Sequence, residues 1–224
     1  MGRSKSSNRW LSEHHSDEFV KLAQRRNYRS RSVFKLKEID ERDRLFKVGA
    51  KVLDLGAAPG GWSQYAYERV GAHGSVIALD MLEIDPIPGV RCLRGDFREQ
   101  SVLQELIEVL GERKVDVILS DMAPNQSGQL EVDQPKSMYL AELALEMAHR
   151  SLAVDGVLLV KVFQGAGFDR YYRDIRQSFA KVVVRKPKAS RARSREVFFL
   201  AKGFKSGQIP PISTDGIPLA GSDG

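Results

Sequence analysis

Sulfur chemistry is nearly absent from this chain of 224 residues, in which Cys92 is the sole cysteine. That excludes an internal disulfide and a multi-cysteine metal site, and it fits a reducing, cytoplasmic setting. The four histidines (His14, His15, His73, His149) are scattered rather than set at zinc-ligand spacing, so no metal site is expected. No apolar run approaches the roughly 18 residues of a membrane span. No apolar signal-peptide core is present either, and Glu13 arrives early for a transit peptide. Gly2 and Ser6 match an acylation pattern formally, but nothing else in the sequence points to a membrane. Internal repeats are also missing.

What is present is an ordinary globular composition, 42% hydrophobic and 29% charged, which fits one α/β domain with short extensions. The formal net charge of +6 is unevenly spread. Residues 1–50 carry 13 basic and 7 acidic side chains, residues 51–180 carry 13 and 19, and residues 181–205 carry 9 basic against Glu196 alone. An acidic middle therefore lies between two basic ends. Brought together by folding, those ends form a cationic surface suited to nucleic acid; kept apart, they are solvated basic edges.

The first twelve residues read as a mobile basic arm, and residues 206–224, rich in Gly, Pro and Ser, as a disordered tail. Between them, residues 13–205 form a single domain, with helices over 13–50 and an α/β core over 51–205. A helix is expected over 16–27, capped by Ser16, and another from Ser30 or Ser32 that buries Val33, Phe34, Leu36 and Ile39. From residue 51, KVLDLG, SVIALD, VRCLRGD, VDVILSD and VLLVKVF read as strands. They alternate with the helical segments GGWSQYAYERV, EQSVLQELIEVL and SMYLAELALEMAHRSL. Nearly continuous apolar strands between helices imply a parallel sheet covered on both faces. A helix near 168–179 and two further strands, KVVVRKP and EVFFLAKGF, complete seven, with an antiparallel addition at the sheet edge.

The loop after the first strand carries the sharpest signal. In an open α/β sheet, ligands bind beyond the carboxyl ends of the strands. Asp54-Leu55-Gly56-Ala57-Ala58-Pro59-Gly60-Gly61-Trp62 ends that strand and opens a helix, without the G-x-G-x-x-G spacing of a dinucleotide site. Pro59 removes an N–H that a pyrophosphate would want. Asp80 ends the second strand, where a carboxylate can accept both ribose hydroxyls, and Asp54 and Asp96 also lie at strand ends. A ribose-bearing ligand without phosphates fits, and S-adenosylmethionine is the natural candidate.

The runs DLGAAPGGWSQYA, SDMAPNQSG, VKVFQG and RKPKASRARSREVF, in that order, resemble the FtsJ/RrmJ family of ribosomal RNA large-subunit 2′-O-methyltransferases. The resemblance extends from about Arg9 to Gly203. It implies a Rossmann-like, S-adenosylmethionine-dependent methyltransferase fold, mostly parallel with an antiparallel last strand. It also implies methylation of a uridine ribose in 23S rRNA, within the 50S subunit, by a monomer. Gly60, Trp62, Asp80, Asp96 and Asp121 match the family's cofactor contacts, with Gly56 and Pro59 in the same turn and Phe97 beside the adenine. Without the resemblance, Trp62 could equally be a core aromatic and Asp96 a helix cap.

Lys35, Asp121, Lys161 and Glu196 match the family's catalytic tetrad in type and order. Lys161 stands out unaided, because a charge inside VLLVKVF is costly unless paired or functional. Asp121 ends the fourth strand and should lie beside it, whereas a structural salt-bridge cluster is the alternative reading. Lys161 acts either as a neutral general base toward a 2′-hydroxyl or as a fixed cation beside it. RNA is expected to meet Arg29, Arg31, Arg185, Lys186, Arg191, Arg193 and Arg195. An amino-methyltransferase is disfavoured, because Asp121-Met122-Ala123-Pro124-Asn125 offers no aromatic to stack on a base. A carbon-5 methyltransferase would need a nucleophilic cysteine, and Cys92 lies inside a strand. Transfer RNA as the acceptor, and a non-catalytic RNA-binding assembly factor, stay open.

Overall fold

The computed structural model describes residues 18–125, 127–191 and 194–205. The basic arm and the tail anticipated from the sequence lie outside the described residues. Two helices, α1 (Glu18–Arg25) and α2 (Val33–Asp43), precede β1 (Lys51–Leu55), α3 (Gly61–Val70), β2 (Ser75–Asp80) and β3 (Val90–Arg94). Then come α4 (Gln100–Leu110), β4 (Val115–Ser120), α5 (Leu130–Ser151), β5 (Leu152–Phe163), α6 (Phe168–Ser178), β6 (Phe179–Arg185) and β7 (Glu196–Phe204).

The strands form one sheet in the order β3-β2-β1-β4-β5-β7-β6. Every pairing is parallel except those of β7, which runs antiparallel to both β5 and β6. The last strand thus slots between its two predecessors rather than adding outside them. Because strand side chains alternate between faces, each strand feeds two cores. Val52, Val117, Leu119, Leu159, Phe198 and Leu200 pack with α1, α2 and α3. Leu53, Leu55, Ile118, Leu158, Val160 and Phe199 pack with α4, α5 and α6.

The same alternation places the charged residues. Asp54, Lys161 and Glu196 fall in the phase of Val52, Leu159 and Phe198, on the face that α2 and α3 cover. Asp121, one residue past β4, continues the phase of Val117 and Leu119. Asp40 fixes α2 against α3: its carboxylate accepts the N–H groups of Leu45 and Phe46 at 2.8 and 3.3 Å, the Tyr65 hydroxyl at 2.9 Å and Arg69 Nε at 2.9 Å. That docking presents Lys35 toward the end of β5 and β7.

Two boundaries and one burial differ most from the sequence reading. Helix α5 begins at Leu130 and holds Pro135 inside it, ahead of the start read at Ser137. The carboxylate of Asp133 collects the N–H groups of Ser127 and Gly128 at 2.9 and 3.1 Å, which secures the turn ahead of the proline. Strand β5 begins at Leu152, directly after the helix, with a register shift against β4 between Val115 and Val117. Cys92 is only partly buried, because β3 is an edge strand.

Candidate active site

The order of strands reverses direction between β1 and β4, which is where an open parallel sheet leaves a crevice for a ligand. The β1–α3 turn lines that crevice. Gly56 and Gly60 both have positive φ, 71° and 107°, a region that glycine enters without steric cost. A Cβ on Gly56 would come within 2.6 Å of Met122 Cγ and 3.1 Å of its Cα, a close packing that also requires glycine. Asp80 braces the turn, its Oδ2 accepting the Ala58 N–H at 2.9 Å and its Oδ1 the Leu82 N–H at 2.8 Å.

Asp54 lies beneath the turn, fully buried. Ser63 Oγ donates to its Oδ2 at 2.6 Å, while Oδ1 has no hydrogen-bond partner. Burial pushes its acid up to about 7 against the opposing Ser63 bond, and the nearby carboxylates of Asp121 and Asp80 push it the same way. Three carboxylates therefore crowd one end of the sheet, which is a poor arrangement for stability and a good one for a cation.

Asp96 follows β3. It does not cap α4, which starts at Gln100 behind Glu99. Its carboxylate instead accepts the Arg98 N–H at 3.0 Å and grips the Arg98 guanidinium, with Nε at 2.9 and 2.8 Å from its two oxygens. The bond to Arg98 holds Asp96 below the usual carboxylate range, against the burial that opposes it. Phe97 packs at the margin of the core beside it. Trp62 is 3% exposed, donates from Nε1 to the Ser32 carbonyl at 2.9 Å and packs on Phe198 at 5.7 Å between ring centres. Its ring therefore joins α3 to β7 within the core.

Two ion pairs stand at the carboxyl end of β5. Lys161 Nζ donates to the Asp121 carbonyl at 2.6 Å and makes an ionic contact with Asp121 Oδ1 at 3.0 Å. That carboxylate contact lacks hydrogen-bond alignment. Lys35 Nζ lies 2.6 Å from Glu196 Oε1, which also accepts the Ser190 hydroxyl at 2.7 Å. Burial would raise the Glu196 acid, but the charge and hydrogen bond of Lys35, the bond from Ser190 and the charge of Lys161 together hold it low. The tetrad residues thus form two pairs that share one electric field. Ser190 and Arg98 were not anticipated: nothing distinguishes Ser190 from its neighbours in KASRARSRE, and Arg98 is one of many arginines.

The basic residues divide by what they touch. Arg29 spends its guanidinium on three backbone carbonyls, those of Pro59, Asp85 and Pro86, at 3.3, 2.5 and 2.7 Å. Arg31 donates to the Ala189 carbonyl and lies over the Phe19 ring. Arg185 grips Asp43 at 2.7 and 2.6 Å, and Lys186 donates to the Ser194 and Glu196 carbonyls at 2.5 and 2.6 Å. Arg191 is half-buried and Arg195 exposed on the late loop, near Glu196, whereas Arg193 lies outside the described residues.

A seven-stranded sheet with one reversed strand, and an acid-rimmed glycine turn at its crevice, define the class of Rossmann-like methyltransferases. The profile of the FtsJ-like methyltransferases matches residues 28–204, and the chain belongs to that family. It is similar to a solved Plasmodium falciparum protein described as a ribosomal RNA methyltransferase, at 29% identity and a TM-score of 0.71 over 79% of this chain and 98% of that one. A Clostridium thermocellum protein described as an rRNA methylase shares the fold, at 15% identity and a TM-score of 0.54 over 76% of this chain and 97% of that one.

Proposed function

We propose that this chain methylates the ribose 2′-hydroxyl of a uridine in 23S rRNA, within the large ribosomal subunit, using S-adenosylmethionine. The observation that carries the reading is the meeting of Lys161 with Asp121, and of Lys35 with Glu196, beside the glycine turn at the sheet's crevice. The likeness to the Plasmodium falciparum protein supports ribosomal RNA as the substrate class.

The residues present fit the cofactor. S-adenosylmethionine supplies a methyl group activated on a sulfonium, carried by an adenosine without phosphates. The charges of Asp121 and Asp80 disfavour an ionised Asp54, and a bound cationic ligand offsets that effect. The orphaned Oδ1 of Asp54 is a buried acceptor awaiting a donor. Each oxygen of Asp80 keeps a free lone pair beyond its one backbone N–H, enough for ribose hydroxyls. In this reading Asp80 takes the ribose, Asp96 and Phe97 the adenine, and Asp121 the methionine end.

Positioning an attacking hydroxyl in line supplies much of the rate, and removing its proton supplies more. Lys161 Nζ directs itself at Asp121 in two directions, so that as a neutral amine it spends its two N–H groups there and keeps its lone pair for the hydroxyl proton. It takes the 2′-hydroxyl proton as a neutral base, while Glu196 holds the Lys35 cation beside it. The test is incubation with methyl-labelled S-adenosylmethionine and undermethylated 50S subunits, free 23S rRNA or tRNA, followed by mapping of the label. Label on a uridine ribose of 23S rRNA is expected. Label confined to tRNA would overturn the substrate, and label on a base or on no RNA would overturn the reaction.

A further inference from the structure

Arg29 sits among basic residues, yet its surroundings are those of a clasp rather than of a free cation. Its own N–H donates to Gln64 Oε1 at 3.0 Å, and Gln64 Nε2 donates to the Asn27 carbonyl at 3.2 Å, so the segment ahead of α2 is stitched to α3. Ser30 presses against Gly61, where an added Cβ would lie 2.4 Å from its Oγ, and Trp62 ties Ser32 to the same helix. From this anchored base the guanidinium reaches the Pro59 carbonyl in the β1–α3 turn and the Asp85 and Pro86 carbonyls in the loop after β2. Its aliphatic stem and Nη1 lie 3.4 and 3.3 Å from the point where a Cβ on Gly60 would stand.

Besides Arg29, those two loops are linked through the Asp80 carboxylate, which takes the Ala58 and Leu82 N–H groups, and through a small apolar cluster of Ala57, Ala78, Ile84 and Ile87. A turn crossed by two glycines has little stiffness of its own, because glycine gives up the most conformational freedom on ordering. A planar fork with five donors can hold several carbonyls in fixed relative positions, which a lysine ammonium on a flexible stem cannot. We propose that Arg29 is a positioning residue of the cofactor pocket, clasping the 57–60 turn to the 81–89 loop, and not an RNA contact. The proposal rests on the reading of that turn as the S-adenosylmethionine site.

The test titrates the full-length protein with S-adenosylhomocysteine by calorimetry and measures RNA binding across a salt series. Arg29→Ala is expected to weaken S-adenosylhomocysteine about tenfold or more, with Arg29→Lys recovering only part of the loss. In turnover, Arg29→Ala should raise KM for S-adenosylmethionine with kcat within about twofold, a split that a general loss of structure does not produce. RNA affinity without cofactor should stay within about twofold and its salt slope should not change. Should Arg29→Ala fail to fold, the Arg29→Lys titration and KM–kcat split decide alone, since that variant keeps the charge and most of the packing. Undiminished S-adenosylhomocysteine binding by the variants, or a log–log slope lowered by about 0.7–0.9, overturns the role of Arg29 alone. Failure of the wild-type chain to bind S-adenosylhomocysteine overturns the underlying site and the proposal with it.

Discussion

At the residue scale, Lys161 and Asp54 are expensive in opposite ways. Lys161 is 8% exposed near the carboxyl end of an apolar strand, and its amine is met by Asp121. If its amine acts on the acceptor hydroxyl, Lys161→Ala should slow single-turnover methyl transfer about 10²–10⁴-fold, with S-adenosylhomocysteine affinity within a few fold. A near wild-type rate would leave the pair as an internal salt bridge. Asp54 is held toward its neutral form, with an acid near pH 7, by burial and by its neighbouring carboxylates. A folded-state acid raised above its unfolded value stabilises fully below the unfolded value and loses that contribution as pH rises toward the folded one. Asp54→Asn keeps the shape and removes the titration. Its unfolding free energy should therefore gain on the wild type between about pH 4 and pH 7, on the order of 1 kcal/mol per unit, in denaturant titrations at fixed pH. A parallel pH dependence in both proteins would show that Asp54 does not titrate there.

At the scale of elements, the edge of the sheet is secured by a helix terminus. Arg185, the last residue of β6, grips Asp43, the last residue of α2, in a pair that is 18% and 13% exposed. Lys202 of β7 donates to the Asp43 carbonyl. The hydrogen bond from Arg185 holds Asp43 below the usual carboxylate range, against burial, with the charges of Arg185, Lys202 and Arg42 adding to it. An acid depressed in this way contributes stability above its unfolded value and loses it as pH falls through the folded one. Asp43→Asn should cost about 1–3 kcal/mol at pH 7, the scale of a hydrogen bond to a charged group, and the deficit should shrink below about pH 4. A constant deficit across that range would assign the loss to packing rather than to charge. Arg185 is thus committed to joining α2 to the sheet, and α2 carries Lys35.

At the scale of the whole molecule, the basic ends of the chain meet at Lys35 and Glu196, across the acidic half that holds the glycine turn. Arg191 and Arg195, with Arg193 between them in sequence, belong to the late loop beside Glu196. Replacing Arg191 and Arg193 with alanine should weaken RNA binding and lower the log–log salt slope by about 0.7–0.9 per phosphate contact, with S-adenosylhomocysteine affinity unaltered. Normal binding at every salt concentration would make that loop a solvated edge. The sequence by itself determined the alternation of strands and helices, because nearly continuous apolar runs and amphipathic stretches have different periods. It determined as well the acids at the ends of the first four strands and the oddity of Lys161 in an apolar strand, since a local pattern suffices for these. The insertion of β7 between β5 and β6 was decided by tertiary structure, because strand order depends on pairings between distant segments. So was the division of the arginines. Arg29 and Arg185 carry the same formal charge as Arg191 and Arg195, and only the fold places carbonyls and Asp43 against the first two. A charge read from sequence states a capacity; its partners, set by the fold, state its use.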